Sequence, residues 1–321
     1  MRLGKLRYDS KFMAIKYFKE TKQWSIHWMC KQLEVSRAGY YIWLHREVPE
    51  QELENIKLAE LIKEYDERFS HILGYRRMTS WINHFNQTRY SEKRVHRIMK
   101  KLAIHSVIRK KKKKYKSSAP EATVENKLGR DFYAAKPNEK WATDVTEFKV
   151  PGEKKKLYLS AIIDLYDRYP VSHVISSSND NNLVFKTFDK AIASNPDAQP
   201  TFHSDRGFQY TSKVFQNKLE NLNMEQSMSR VGRCIDNGPT EGFWGIIKSE
   251  MYQMYDINDE ISLRYAINDY IRFYSEERPQ DRYHCKTPFE VRNEALSSEK
   301  PEEYPISKNK RIEKYKEKWC A

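Results

Sequence analysis

His203-Ser204-Asp205-Arg206-Gly207-Phe208-Gln209-Tyr210 and, further on, Asp236-Asn237-Gly238-Pro239-Thr240-Glu241-Gly242-Phe243-Trp244-Gly245-Ile246-Ile247-Lys248 decide how this chain is read. Thr201-Phe202-His203-Ser204 has the character of a short strand, and Gly207 marks a turn, so Asp205 falls at the strand's carboxyl end. Asn237-Gly238-Pro239 is a turn cluster, and Pro239 suits the first turn of a helix. Phe243, Trp244, Ile247 and Met251 recur on that helix at helical spacing. Glu241 therefore lies one turn into an amphipathic helix, separated from Asp205 by 35 residues.

Working outward, a third acid stands in Trp141-Ala142-Thr143-Asp144-Val145-Thr146-Glu147-Phe148. Three acids on three separate elements form a metal-site pattern, and Asp144, Asp205 and Glu241 are expected to meet at one solvent-open cluster. Neighbouring acids compete less well. Glu147 is offset from Asp144 by an odd number of residues and points to the opposite sheet face. Asp164 and Asp167 sit in a turn-like Asp-x-x-Asp-Arg context that suits capping or surface roles. Asp236 suits helix capping or loop arrangement, and Glu250 lies off to the side of Glu241. Lys248, two helical turns beyond Glu241, shares its face and can reach a phosphate. Arg206 and Gln209 flank Asp205 and are candidates for contact with a bound nucleic-acid ligand, with hydrogen bonding inside their own loop as the alternative.

Four ordered blocks carry a resemblance: Trp141-x-x-Asp144-x-Thr146, His203-Ser204-Asp205-x-Gly207-x-Gln209-Tyr210, Asp236-Asn237-x-x-x-Glu241 and Tyr270-Ile271-x-Phe273-Tyr274. Together they resemble the second-frame (OrfB) transposases of the IS-three family of insertion sequences, whose DDE core is shared with retroviral integrases. The likeness runs from about Trp28 to Arg292. It implies a catalytic triad of Asp144, Asp205 and Glu241 holding two Mg²⁺ ions, with Mn²⁺ as a substitute. Asp144 would bridge both ions, and Asp205 and Glu241 would each hold one. It further implies cleavage of insertion-sequence ends and transfer of a 3′-hydroxyl into target DNA by a homo-oligomer on DNA. An upstream-frame partner or fusion is commonly involved. A Lys at the position of Lys248 belongs to the family pattern, whereas Ser275 replaces the usual Asn and Tyr283 the usual Leu. The alternative is a catalytically inactive DNA-binding relative, or a regulator of transposition.

The 321 residues carry a net charge of +14, unevenly placed. Residues 1–120 hold 28 basic against 12 acidic residues, a net +16, which leaves −2 for the remainder. A basic region joined to a near-neutral, acid-bearing one suggests a nucleic-acid grip attached to a site that holds cations near phosphates. The four cysteines contain no CxxC pair and the nine histidines show no metal spacing, so neither zinc finger nor disulfide framework is expected. With no apolar leader and no apolar run of about 18 residues, the expected location is the cytoplasm, associated with the nucleoid.

The expected organisation is a helical DNA-binding region at 1–108, a basic linker at 109–125, a catalytic domain at 126–295 and a polar tail at 296–321. The first region reads as two helix-turn-helix-like units. Ser36 caps a helix carrying Tyr40, Tyr41, Trp43 and Leu44, and a second pair spans Gly74 to Ile104. Glu52 to Phe69 reads as a packing or spacing helix. Lys93, Arg94 and Arg97 point outward and suit phosphate contacts. The Lys run that includes Lys111, Lys112 and Lys113 repels itself and suits a DNA-tracking linker. Strands are expected at 141–150, 157–163 and 169–175, then a helix at 183–193, the strand ending at Asp205, a helix at 214–222, a strand at 224–229 and the Glu241 helix. That order is what an RNase H-like α/β core with a mixed five-stranded sheet requires. A further amphipathic helix at 261–274 follows.

Overall fold

The computed structural model describes residues 8–47, 49–108, 128, 131–153, 155–229 and 237–306. The chain divides into two compact units, Met1–Ser106 and Val107–Ala321. The lysines at 111–113 and Asp236 lie outside the described residues.

The first unit is helical. α1 (Asp9–Lys22), α2 (Ile26–Gln32) and α3 (Arg37–Leu44) bury Phe12, Ile15, Met29, Cys30, Tyr40 and Trp43 together. Ser25 and Ser36 cap the second and third helices by accepting from Trp28 N and Gly39 N, which satisfies amide groups that a helix start leaves without partners. α4 (Glu50–Arg68) turns Leu58, Ile62 and Tyr65 inward, toward α5 (Tyr75–Asn86) and α6 (Glu92–Lys101). The turn between α5 and α6 is held by Asn83, whose side chain accepts from Tyr90 N at 2.8 Å and donates to Tyr90 O at 2.9 Å.

The second unit is an α/β layer structure around a mixed five-stranded sheet in the order β3-β2-β1-β4-β5. β1 (Lys140–Lys149), β2 (Lys156–Asp164) and β3 (Pro170–Ser176) form an antiparallel meander. β4 (Thr201–Ser204) pairs parallel to β1, and β5 (Gln226–Met228) parallel to β4. Parallel neighbours need crossover connections. These are supplied by α7 (Asn181–Ser194) before β4, and by the short α8 (Phe208–Thr211) and α9 (Lys213–Asn221) before β5. One sheet face packs Trp141, Ile162, Phe202 and Met228 against Val184, Phe188, Phe215 and Leu219.

The other face takes α10 (Gly238–Met254), α11 (Glu260–Glu276) and α12 (Pro288–Leu296). α10 follows β1 in matched steps: Trp244 meets Asp144, Lys248 meets Thr146, and Tyr252 meets Phe148 and Lys149. Four helical residues advance about 6 Å and two strand residues about 6.6 Å, so the i, i+4, i+8 row of the helix stays in register with alternate residues of the strand. This pairing fixes where the first turn of α10, and hence Glu241, sits relative to Asp144.

Two buried ion-pair networks lock the same layer. Glu250 accepts from Arg278 Nε at 3.0 Å and Nη2 at 2.9 Å, and from Tyr270 Oη at 2.7 Å. Arg292 donates to Asp164 at 3.1 Å and to Asp167 at 3.0 Å through Nη1, and to Asn138 and Asn195 through Nη2. The surface role expected for Asp164 and Asp167 is thus corrected. Both are 0% exposed, because a guanidinium from α12 reaches them. Their capping role is present as well, with Asp164 accepting from Tyr166 N and Asp167 from Tyr169 N.

Candidate active site

Asp144 sits in the middle of β1 on the face covered by α10. Its Oδ1 accepts from Val145 N at 2.8 Å and its Oδ2 from Trp244 Nε1 at 3.0 Å. Burial, the Asp205 carboxylate and, more weakly, the Glu241 carboxylate raise its pKa to about 6, against the lowering effect of those two hydrogen bonds. Asp205 follows directly on β4. Burial raises its pKa, and Gly207 N, donating at 2.9 Å, pulls it down. A side chain at Gly207 would come within 3.0 Å of Asp205 Oδ1 and 2.8 Å of Gln209 Oε1, so the glycine permits the chain to fold back over the carboxylate. Glu241 lies in the first turn of α10, its pKa raised by burial.

The fold brings Asp205 and Glu241 into electrostatic range of Asp144, and no basic side chain among the described residues forms an ion pair with any of the three. Among the described residues no group of three His, Cys, Asp or Glu side chains stands ready to hold a metal ion. The acids share a region without forming a closed ligand set.

The flanking candidates divide. Lys248 Nζ donates to Thr146 Oγ1 at 2.6 Å and lies over the Phe148 ring, and burial lowers its pKa. Arg206 Nε donates to Ser229 O at 2.9 Å, tying the Asp205 loop to the end of β5. Gln209 is buried and donates to Asn179 Oδ1 at 2.7 Å. It ties its loop to the segment between β3 and α7, a contact beyond the loop-internal bonding expected for it. Glu147 is exposed and paired with Lys156 at 2.9 Å, away from Asp144. In the helical unit Lys93 and Arg97 are exposed, whereas Arg94 is engaged by Glu54 and Asn55, each at 2.9 Å.

Three supporting residues escaped the sequence reading. Trp244 is the side-chain hydrogen-bond partner of Asp144, and its position three residues after Glu241 was the available signal. Asn237 donates to Thr143 O at 3.2 Å and so ties the start of α10 to β1. Tyr210 Oη meets Thr143 Oγ1 at 3.1 Å in the layer beneath. Both contacts are long-range, and nothing local announces them.

Comparison with known proteins follows the same division. The integrase core domain family matches residues 134–234, a second integrase core domain model matches 241–296, and an HTH-like domain matches 52–112. Asp144 and Asp205 fall in the first core segment, and Glu241 opens the second. The chain is 36% identical over 271 residues to the putative transposase InsK for insertion sequence element IS150 of Escherichia coli K12, covering 83% of this chain and 93% of that protein. It is also 36% identical over 209 residues to an uncharacterized transposase-like protein of Haemophilus influenzae, covering 64% and 95%. Among solved structures, the HTLV-2 integrase catalytic core domain in complex with magnesium aligns with 48% of this chain and 95% of its own, at 21% identity and a TM-score of 0.38. Among the described residues no helix is long and apolar enough to cross a membrane.

Proposed function

Since the chain belongs to the insertion-sequence transposases with an integrase core domain, we propose that Asp144, Asp205 and Glu241 are its catalytic acids. On this reading they hold two Mg²⁺ ions while the protein cuts element ends and joins a 3′-hydroxyl to target DNA. The observation that carries this is the set of three neighbouring carboxylates with which no basic side chain of the described residues forms an ion pair, whereas the buried acids Glu250, Asp164 and Asp167 of the same unit are each met by an arginine. The donor chemistry fits: three carboxylates suit a hard, oxygen-seeking cation, with no imidazole or thiolate needed. Closure of the ligand set accompanies ion binding.

Bound divalent ions would activate the attacking oxygen and stabilise the leaving one. The protein's own residues supply position and charge. Val145 N and Trp244 Nε1 each hold one oxygen of Asp144, so its free lone pairs are directed rather than left to rotate. Asn237 fixes the start of the Glu241 helix. Lys248, on the same helix, offers a cation to a DNA phosphate, and loss of its Thr146 bond accompanies that contact. Phosphoryl transfer asks for positioning and charge stabilisation above all.

The helical unit grips DNA through phosphate contacts, with the exposed Lys93 and Arg97 of α6 foremost, and residues 109–125 form a basic linker to the catalytic domain at 126–295. The active species is a homo-oligomer on DNA, and an upstream-frame segment supplies end recognition. The test is a cleavage and joining assay on oligonucleotides bearing the element's terminal repeats, with Mg²⁺ or Mn²⁺. Wild type should cut and join, in the fused form if the chain alone is silent, and Glu241→Gln should bind the same DNA without doing either. Activity retained by Glu241→Gln contradicts the assignment. DNA binding with no chemistry in either form marks an inactive relative.

A further inference from the structure

The turn between β2 and β3 carries a guanidinium for which the described residues provide no acceptor. Arg168 stands in the left-handed region at φ 60° and donates its backbone N–H to Asp164 O. Its Nη1 is out of contact with solvent and has no hydrogen-bond partner, and none of the hydrogen bonds or ion pairs among the described residues involves its side chain. The nearby carboxylates of Asp164 and Asp167 are already taken by Arg292.

Arg282 repeats the feature. It lies in the 3-10 turn Asp281–Tyr283, its Nη2 donates to Tyr304 O at 3.0 Å, and its Nε is buried without a partner. The two turns are joined by one hydrogen bond, Tyr283 Oη to Tyr166 O at 2.9 Å. Arg282 is thus one residue from one end of that bond and Arg168 two residues from the other. Burial lowers the Arg168 pKa, and the charge of Arg282 lowers it further, which places the two cations within range of each other. A buried donor without an acceptor is destabilising because its lost hydration is not replaced, and neighbouring like charges add repulsion. Both arginines are half-buried, and each keeps a buried donor that no described residue accepts.

We propose that Arg168 and Arg282 form a phosphate-binding site, distinct from the acid cluster. The ligand class follows from the donors. Two guanidinium groups present two planar forks and two positive charges, which suit several acceptor oxygens on one anionic centre, whereas a single carboxylate satisfies one fork. Asp164 pairs with Trp141, three strand residues before Asp144, so the turn lies roughly 10 Å or more along β1 from that acid. The phosphate is either a backbone phosphodiester of bound DNA or free inorganic phosphate. The first source rests on the reading of the chain as a transposase, and the second does not.

Thermal unfolding of the full chain in low millimolar inorganic phosphate, against sodium chloride of matched ionic strength, tests the site. Wild type should gain a phosphate-dependent rise in Tm. Arg168→Met, which keeps length and removes the unpaired charge, should lose that rise without lowering Tm in the absence of phosphate. Arg282→Gln should shift the phosphate midpoint upward by about tenfold. Phosphate also stabilises proteins generally by exclusion from their surface, so Lys186→Met, an exposed charge loss on α7, serves as the control that keeps the full rise. Repeating the titration on the complex with saturating duplex DNA assigns the source: the rise disappears if a DNA phosphate fills the site and persists if the site takes free phosphate. If Arg168→Met does not fold, Arg282→Gln decides. Equal phosphate responses in wild type and Arg282→Gln, or in wild type and a folded Arg168→Met, overturn the proposal. These measurements need neither divalent metal nor strand transfer, so their failure leaves the catalytic assignment standing.

Discussion

Two groups of carboxylates share one domain and are treated in opposite ways. Glu250, Asp164 and Asp167 are almost completely buried, and each is met by an arginine within 3.1 Å. Asp144 and Asp205 are half-buried and Glu241 is exposed; the described residues give Asp144 hydrogen bonds from Trp244 and Val145 and Asp205 one from Gly207, but none of the three an ion pair. Removing an acid from water is unfavourable unless it is paired. The first group meets that condition inside the fold, so its acids are structural. The second does not, and its negative charge accumulates where the comparisons place an integrase core. What separates the structural acids from those proposed to be catalytic is whether the described residues match them with a cation.

That contrast yields ordered expectations. Arg292→Leu should have the largest effect, a loss of about 3–5 kcal/mol in unfolding free energy, because it leaves two buried carboxylates without their cation. Urea denaturation measures it, and a loss below about 1 kcal/mol would remove the distinction between the two groups. Arg278→Met should be nearly as damaging, yet Glu250→Met combined with Arg278→Met should recover much of the loss, since an apolar pair carries no desolvation penalty.

The unmatched group should behave in reverse. With metal excluded, Asp144→Asn should raise stability at neutral pH by about 1–2 kcal/mol. The native Asp144 carboxyl holds its proton up to about pH 6, well above the unfolded chain. The folded state therefore binds more protons between these values, and stability falls as pH rises through that window. The advantage of the variant should shrink as pH drops from about 6 to about 4 and stay level below that, where both states are protonated. A destabilised Asp144→Asn would place Asp144 among the structural acids. At the small end, Arg94→Ala should cost about 1 kcal/mol or less, because its ion-pair partner Glu54 is half exposed and water screens the pair. A larger loss would mean that Arg94 organises the helical unit.

Much of the fold was legible because local pattern and burial agree. The strand expected at 141–150 is β1 at Lys140–Lys149, and the helix expected at 183–193 is α7 at Asn181–Ser194. α12 went unread although Thr287-Pro288-Phe289-Glu290 spells its capping box, with Thr287 Oγ1 accepting from Glu290 N and Glu290 accepting from Thr287 N. The ion-pair networks were hidden for a different reason: Arg292 lies 128 residues from Asp164 and Arg278 lies 28 from Glu250, and no local rule pairs them. Consequently Asp164 looked like a surface residue. The acids of the candidate site were readable only through ordered spacing and resemblance. Their partner Trp244 depends on the match of helix and strand rise, which appears only once α10 is laid along β1.

The central claim, that the unmatched acids are a divalent-cation site, is tested most directly by the dependence of stability on Mg²⁺. Titrating MgCl₂ into the metal-free full chain, against NaCl of matched ionic strength, should raise Tm in wild type. The rise should be lost in Asp144→Asn and in Asp205→Asn, and kept in Lys186→Met. A Tm that ignores Mg²⁺ in wild type, or a response left intact by Asp144→Asn and Asp205→Asn, would contradict the account.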